Sequence, residues 1–233
     1  MSNMNDEVPA TLALALADAR ARTVGRVGII GANPMGVGIA MHLLDADVPV
    51  TLFELAREPL DAGMALARSA YLDAVTQGVL APEQRDRRMA LLAGSVNFHH
   101  LKDCDLIIET VCTDTAGKEK LFRRLDQVAK PGAILMTHAA HGAVDQIAGC
   151  TRRAGDVLGW HARGPAHPDR MWELVQGTQT SGEALATVIA LARKLQQVAA
   201  VSGLSHGAVI NARSVSQPPE TGVGAWQIDQ AQE

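Results

Sequence analysis

Short apolar runs alternate with longer stretches of helical period between about residues 26 and 203. RVGII (26–30) and PVTLFE (49–54) read as strands, the second alternating and closed by an acid, with a helix between them. Small and apolar residues recur on one face from residue 58 to residue 78, and 82–92 reads as a second, basic helix. DLIIET (105–110) is a buried strand that ends in an acid. Residues 115–129 form a charged amphipathic helix, which Pro131-Gly132 stops before the strand AILMT (133–137). DVLGWHA (156–162) and MWELVQG (171–177) supply further strands, and 182–197 is a helix closed by the short strand AAVSG (199–203). Strands that alternate with helices specify an α/β fold, a doubly wound and mainly parallel sheet with helices on both faces.

Composition narrows the setting. The chain has 233 residues, 47% of them hydrophobic, and a net charge of −4, enough to bury a full α/β core and unsuited to nucleic acid or a membrane surface. ATLALALADAR (10–20) has the look of a secretory leader, but Asp6 and Glu7 stand where basic residues belong and Asp18 interrupts it, so a short amphipathic leader helix is expected. Cys104, Cys112 and Cys150 are odd in number and lack metal-ligand spacing, which points to a reducing, cytoplasmic compartment. From about Ser214 the chain turns to Gln, Pro, Gly and Glu and reads as a flexible tail.

The turn after the first strand carries chemistry. In G-x-G-x-x-G the first glycine makes the bend, the second admits a pyrophosphate and the third lets the helix pack on the strand, the opening of a Rossmann-like dinucleotide fold. Gly31, Asn33 and Gly36 hold those places. Asn33 brings a Cβ and an amide into the cofactor's space. With Pro34 behind it, Asn33 also reads as an N-cap whose side chain can satisfy an amide otherwise open to phosphate. The amides of Met35 and Gly36 and the positive helix end remain as anion ligands, so binding is expected to be weakened and not lost. Glu54, 23 residues beyond Gly31, stands where an acid accepts hydrogen bonds from a ribose diol and repels a 2′-phosphate, which favours NAD over NADP.

From Arg26 to about Arg213 the landmarks GANPMGVGIA, VTLFE, IIETV with GKEKLF, KPGAIL, DVLGWH followed by PAH and WELV, and VINAR resemble the NAD-binding domain of the 3-hydroxyacyl-CoA dehydrogenase family. The resemblance implies an NAD-dependent oxidoreductase that moves a hydride between NAD and C3 of a 3-hydroxyacyl thioester or a small 3-hydroxy acid. It implies His161 as the base and Glu173 as its partner on the neighbouring strand, a carboxylate that fixes the tautomer and strengthens the other ring nitrogen as a base. It also implies Glu109 near the nicotinamide, Lys118 beside the cofactor, and Asn211 closing the site. Lys118 reads equally as a solvated helix charge. The domain limits follow as 1–24 for a leader arm, 25–205 for the NAD-binding domain, and 206–233 for an inter-domain remnant and tail.

Departures from the family pattern matter as much. The family carries asparagine, threonine and serine where this chain has His138, Ala139 and Ala140, and two aromatics followed by Asn or Ser where it has Ala162, Arg163 and Gly164. Losing one donor to a reacting oxygen typically costs on the order of a hundredfold in rate. The family also continues past the Asn211 position into a mainly helical domain that covers the acyl-CoA, whereas residues 212–233 alone follow here. A homo-oligomer or partner chain is therefore expected to complete the cleft, unless the substrate is small. The alternatives are a catalytically degenerate NAD-binding subunit and a protein-interaction scaffold. His138, His141, His161 and His167 with Glu173 invite a metal, but His138 and His141 fall at a strand end and loop with no carboxylate behind them, and no metal is expected.

Overall fold

The computed structural model describes residues 19–111, 114–139, 141–162 and 171–202. Most of the expected leader helix and the whole tail, with Asn211, Ala140, Arg163, Gly164 and His167, lie outside the described residues. In chain order the elements are β1 (Val27–Ile30), α1 (Pro34–Asp45), β2 (Val50–Phe53), α2 (Arg57–Thr76), α3 (Pro82–Ala90), β3 (Leu92–Ser95) and a 3₁₀ segment (Phe98–Asp103). They continue as β4 (Leu106–Glu109), α4 (Thr115–Val128), β5 (Ile134–Thr137), α5 (His141–Ala148), β6 (Val157–Ala162), β7 (Met171–Val175), α6 (Gly182–Lys194) and β8 (Val198–Ser202).

The sheet order is β3-β2-β1-β4-β5-β6-β7-β8, and every neighbouring pair is parallel except β6 with β7. Strand order reverses between β1 and β4, which opens a crevice beyond their carboxyl ends, the place where such sheets bind ligands. All four residues of β1, β2, β4 and β5 are buried, which is why these strands read as continuous apolar runs. Successive side chains go to opposite faces. Val27, Ile29, Leu106, Ile108, Ile134 and Met136 pack with the helices α1, α2 and α6, while Ile30, Ile107 and Leu135 pack with α4 and α5.

Two expectations need correction. The basic helix stops at Ala90, and LAGS pairs with β2 as the edge strand β3, although nothing in its composition favours a strand. Its two central residues are exposed, so its parallel register with β2, from Leu92 opposite Val50 to Ser95 opposite Phe53, defines it. His141 opens α5 instead of standing in a loop.

Candidate functional site

The glycine turn follows directly from β1. Gly31 has a φ of +109°, and a Cβ there would sit 2.6 Å from Thr110 Oγ1. A Cβ on Gly36 would fall 2.0 Å from the Gly31 carbonyl oxygen, so α1 lies against the turn as closely as the third glycine of the fingerprint requires. Asn33 needs no left-handed backbone, with φ −74° and ψ 169°. Its Oδ1 accepts from the Gly36 amide at 2.9 Å, and its Nδ2 donates to the Thr110 carbonyl at 2.9 Å. The expected N-cap is therefore present, and it spends an amide that faces the crevice. The first turn of α1 contains no acid, and Met35 is partly exposed at its mouth. Glu54 follows β2, and its two carboxylate oxygens accept from the amides of Ala32 (3.0 Å) and Leu55 (2.9 Å). Each oxygen keeps a lone pair for a further donor.

Across the crevice, β4 ends in Glu109, which is 0% exposed. Its Oε2 accepts from Lys118 Nζ at 2.9 Å and from Thr137 Oγ1 at 2.8 Å. Its Oε1 is buried and has no hydrogen-bond partner among the described residues. Lys118 is 7% exposed, which overturns its reading as a solvated charge, and it also donates to the His138 carbonyl at 2.6 Å. Thr110 Oγ1 donates to the Ile30 carbonyl at 2.9 Å and locks the end of β4 to the end of β1.

The antiparallel register of β6 and β7 sets His161 opposite Glu173. Directly opposed residues project to the same face with Cβ atoms about 4.5–5.5 Å apart, so imidazole and carboxylate share one face. The His138 ring stands edge-on to His161 at 5.1 Å between centres and to Trp160 at 5.4 Å. Trp160 Nε1 donates to the Glu109 carbonyl at 3.3 Å, which joins the histidine pair to the acid of β4. Burial, assisted by His161 and Lys118 and opposed by Glu109, holds His138 below the ordinary histidine pKa. Among the described residues no group of three or more His, Cys, Asp or Glu is placed to hold a metal.

With this geometry in hand, the comparisons with known proteins are specific. The family described as "3-hydroxyacyl-CoA dehydrogenase, NAD binding domain" matches residues 26–203. The chain belongs to this family. It is similar to the peroxisomal bifunctional enzymes of Cavia porcellus, 33% identical over 194 residues, and Danio rerio, 32% over 195, covering 83% of this chain and 26% of each relative. The chain thus spans about a quarter of the length of the curated relatives it matches. Among solved structures it resembles FadB2 of M. tuberculosis, at 30% identity and TM-score 0.73, covering 81% of this chain and 67% of that one. It also resembles 3-hydroxybutyryl-CoA dehydrogenase of Escherichia coli K12, at 27% identity and TM-score 0.73, covering 78% and 39%.

The residues of this NAD-binding domain fit the family's cofactor with one obstruction. The close turn at Gly31 and Gly36, the acid-free start of α1, Glu54 after β2 and the unpartnered Glu109 oxygen all suit a dinucleotide, and the Asn33 cap opposes it. Sequence reasoning placed Gly31, Asn33, Met35, Gly36 and Glu54 around the turn and set Glu109 and Lys118 separately beside the cofactor; the ion pair that joins Glu109 to Lys118 is the structure's addition. It missed Thr110, Thr137 and Trp160. The two threonines were open to notice, because each follows an apolar run at a carboxyl strand end.

Proposed function

We propose that this domain serves an NAD-dependent oxidoreductase acting on 3-hydroxyacyl thioesters or small 3-hydroxy acids, with His161 as the base. The observation that carries the reading is the register that sets His161 opposite Glu173, one ring away from the Glu109 and Lys118 pair. Glu54 would hold the ribose diol, and the Met35 amide at the start of α1 the pyrophosphate, joined by the Gly36 amide once Asn33 releases it. Bound NAD supplies the hydride acceptor. His161 takes the hydroxyl proton, Glu173 orients the imidazole and offsets its gained charge, and Asn211 closes the site. Glu109 and Lys118 form the wall beside the reacting end of the cofactor. A second copy or a partner chain would cover the acyl group. Two free cysteines among the described residues, Cys104 and Cys150, accord with a reducing cytoplasm. No described helix is long and apolar enough to cross a membrane.

The Asn33 cap opposes NAD binding, and a subunit that binds NAD weakly without turnover is the alternative the test must separate from the enzyme. Titration with NADH and NADPH by cofactor fluorescence, followed by reduction of 3-oxoacyl thioesters by wild type and His161→Ala, separates the two. Selective NADH binding with turnover lost in His161→Ala supports the enzyme. Binding without turnover supports the degenerate subunit, and binding of neither nucleotide refutes both.

A further inference from the structure

His138 stands where the family pattern carries asparagine, and its surroundings are unusually well defined for a residue just past a strand end. Its carbonyl is held by Lys118 Nζ at 2.6 Å. Its ring lies between two aromatic neighbours, Trp160 at 67° and His161 at 83° between planes, both at distances of direct ring contact. Trp160 is itself 1% exposed and tied to the Glu109 carbonyl, so one side of this slot is fixed by the core.

We propose that His138 is a positioning residue for His161: its neutral ring, wedged between Trp160 and His161, holds the His161 imidazole in place and confines the proton that His161 takes up to the side shared with Glu173. The catalytic part of this inference rests on the reading of His161 as the base, while the pairing of the two rings does not.

The charged groups around the wedge decide its state. Lys118 on α4 and His161 on β6 oppose a positive charge on His138, Glu109 on β4 favours one, and burial, the largest influence, opposes it. Glu173 on β7 lies opposite His161 in the register. Like charges 5.1 Å apart repel each other, so a charge gained by His161 disfavours one on His138. A neutral His138 therefore does not draw the proton inward toward Lys118. The new charge on His161 stays where the Glu173 carboxylate compensates it. The family's asparagine would leave His161 a smaller neighbour with no ring face.

The test uses the full chain. Imidazole C2–H resonances of wild type and His161→Gln are followed by NMR against pH, with His138 assigned through His138→Gln. His138 is expected to titrate below the ordinary histidine value in wild type and to move upward in His161→Gln. Titration at the ordinary value, unmoved by His161→Gln, would overturn the pairing even if the protein were fully active. Kinetics then read the positioning role. His138→Ala should lower kcat for 3-oxoacyl thioester reduction on the order of 10- to 100-fold with the KM for NADH unmoved, and His138→Phe, which keeps a neutral aromatic wedge, should recover most of it. A His138→Phe protein as slow as His138→Ala would overturn the wedge. A wild type without turnover would remove His161 as base, and the titration alone would then decide whether the two rings are coupled.

Discussion

Replacing Asn33 by glycine is expected to tighten NADH binding and loosen the fold at the same time. In the free protein Asn33 Oδ1 accepts from the Gly36 amide at 2.9 Å, and Nδ2 donates to the Thr110 carbonyl at 2.9 Å. A phosphate oxygen on that amide must first displace Oδ1, giving up a hydrogen bond worth about 0.5–1.5 kcal/mol net. Glycine removes this cost, and since 1.4 kcal/mol is a factor of ten, Kd for NADH should fall about two- to twelvefold. Exchanging an asparagine cap for glycine costs a few tenths of a kcal/mol. The lost tie to Thr110 adds about 1 kcal/mol, and the extra backbone freedom of glycine at an extended position about 0.5–1 kcal/mol. A loss of about 2 kcal/mol lowers Tm by roughly 4–8 °C in a domain of this size. Asn33→Asp is the complement, because it keeps an acceptor for Gly36 but places a negative charge beside the phosphate, so it should bind more weakly than wild type. Cofactor fluorescence and thermal melts read the two signs independently. An Asn33→Gly protein that melts lower yet binds NADH no more tightly would refute the obstruction and leave Asn33 as a structural cap alone.

Three further outcomes follow from the same geometry. Lys118→Met strands the fully buried Glu109 carboxylate and should cost about 3–5 kcal/mol in urea unfolding, most of it regained in Lys118→Met with Glu109→Gln; a double variant as unstable as the sum would show that the pair is not coupled. Gly31→Ala puts a Cβ 2.6 Å from Thr110 Oγ1 at a φ of +109° and should cost about 2–5 kcal/mol from strain and overpacking, read by thermal melts; an unchanged Tm would mean that the turn is not rigid. Burial pushes the Asp126 carboxyl up, but hydrogen bonds from Arg152 and Arg153 outweigh it and hold the pKa below the usual 3.8. That stability is present above the unfolded carboxylate value and is lost as pH falls through the folded one, so the Tm advantage of wild type over Asp126→Asn should shrink below about pH 4; a constant gap from pH 7 to pH 3 would contradict it.

How much of this was legible in the chain depended on where each element takes its definition. β1, β2, β4 and β5 announce themselves because both faces are buried and every position must be apolar. β3 does not, because LAGS is a strand only through its register with β2. The Asn33 cap was readable from Asn-Pro at a helix start, since both partners lie within three residues. The burial of Lys118 was not, because it requires α4 to lay one lysine of a charged sequence across the ends of β4 and β5. The contact of His138 with His161 likewise arises only when β5 and β6 pair, 23 residues apart in sequence.

The remaining question is what the surviving parts of the fingerprint mean when one glycine is gone. Gly31 and Gly36 are held by packing alone: a side chain at either would strike Thr110 or the turn's own backbone whether or not a nucleotide ever binds. Their presence therefore does not separate a cofactor site from a scaffold of the same fold. Glu54 is little better, because the Ala32 and Leu55 amides already account for both of its oxygens. Glu109 is different. Packing and the Lys118 and Thr137 bonds explain Oε2, but among the described residues Oε1 is buried without a donor, and an unmet buried acceptor costs about 1–3 kcal/mol. A pure scaffold gains nothing from carrying that cost at the carboxyl end of β4, where a leucine would pack. Because Glu109 is 0% exposed, a ligand donor can meet this oxygen only if the end of β4 opens, so of all the retained residues Glu109 is the one whose placement packing alone does not explain.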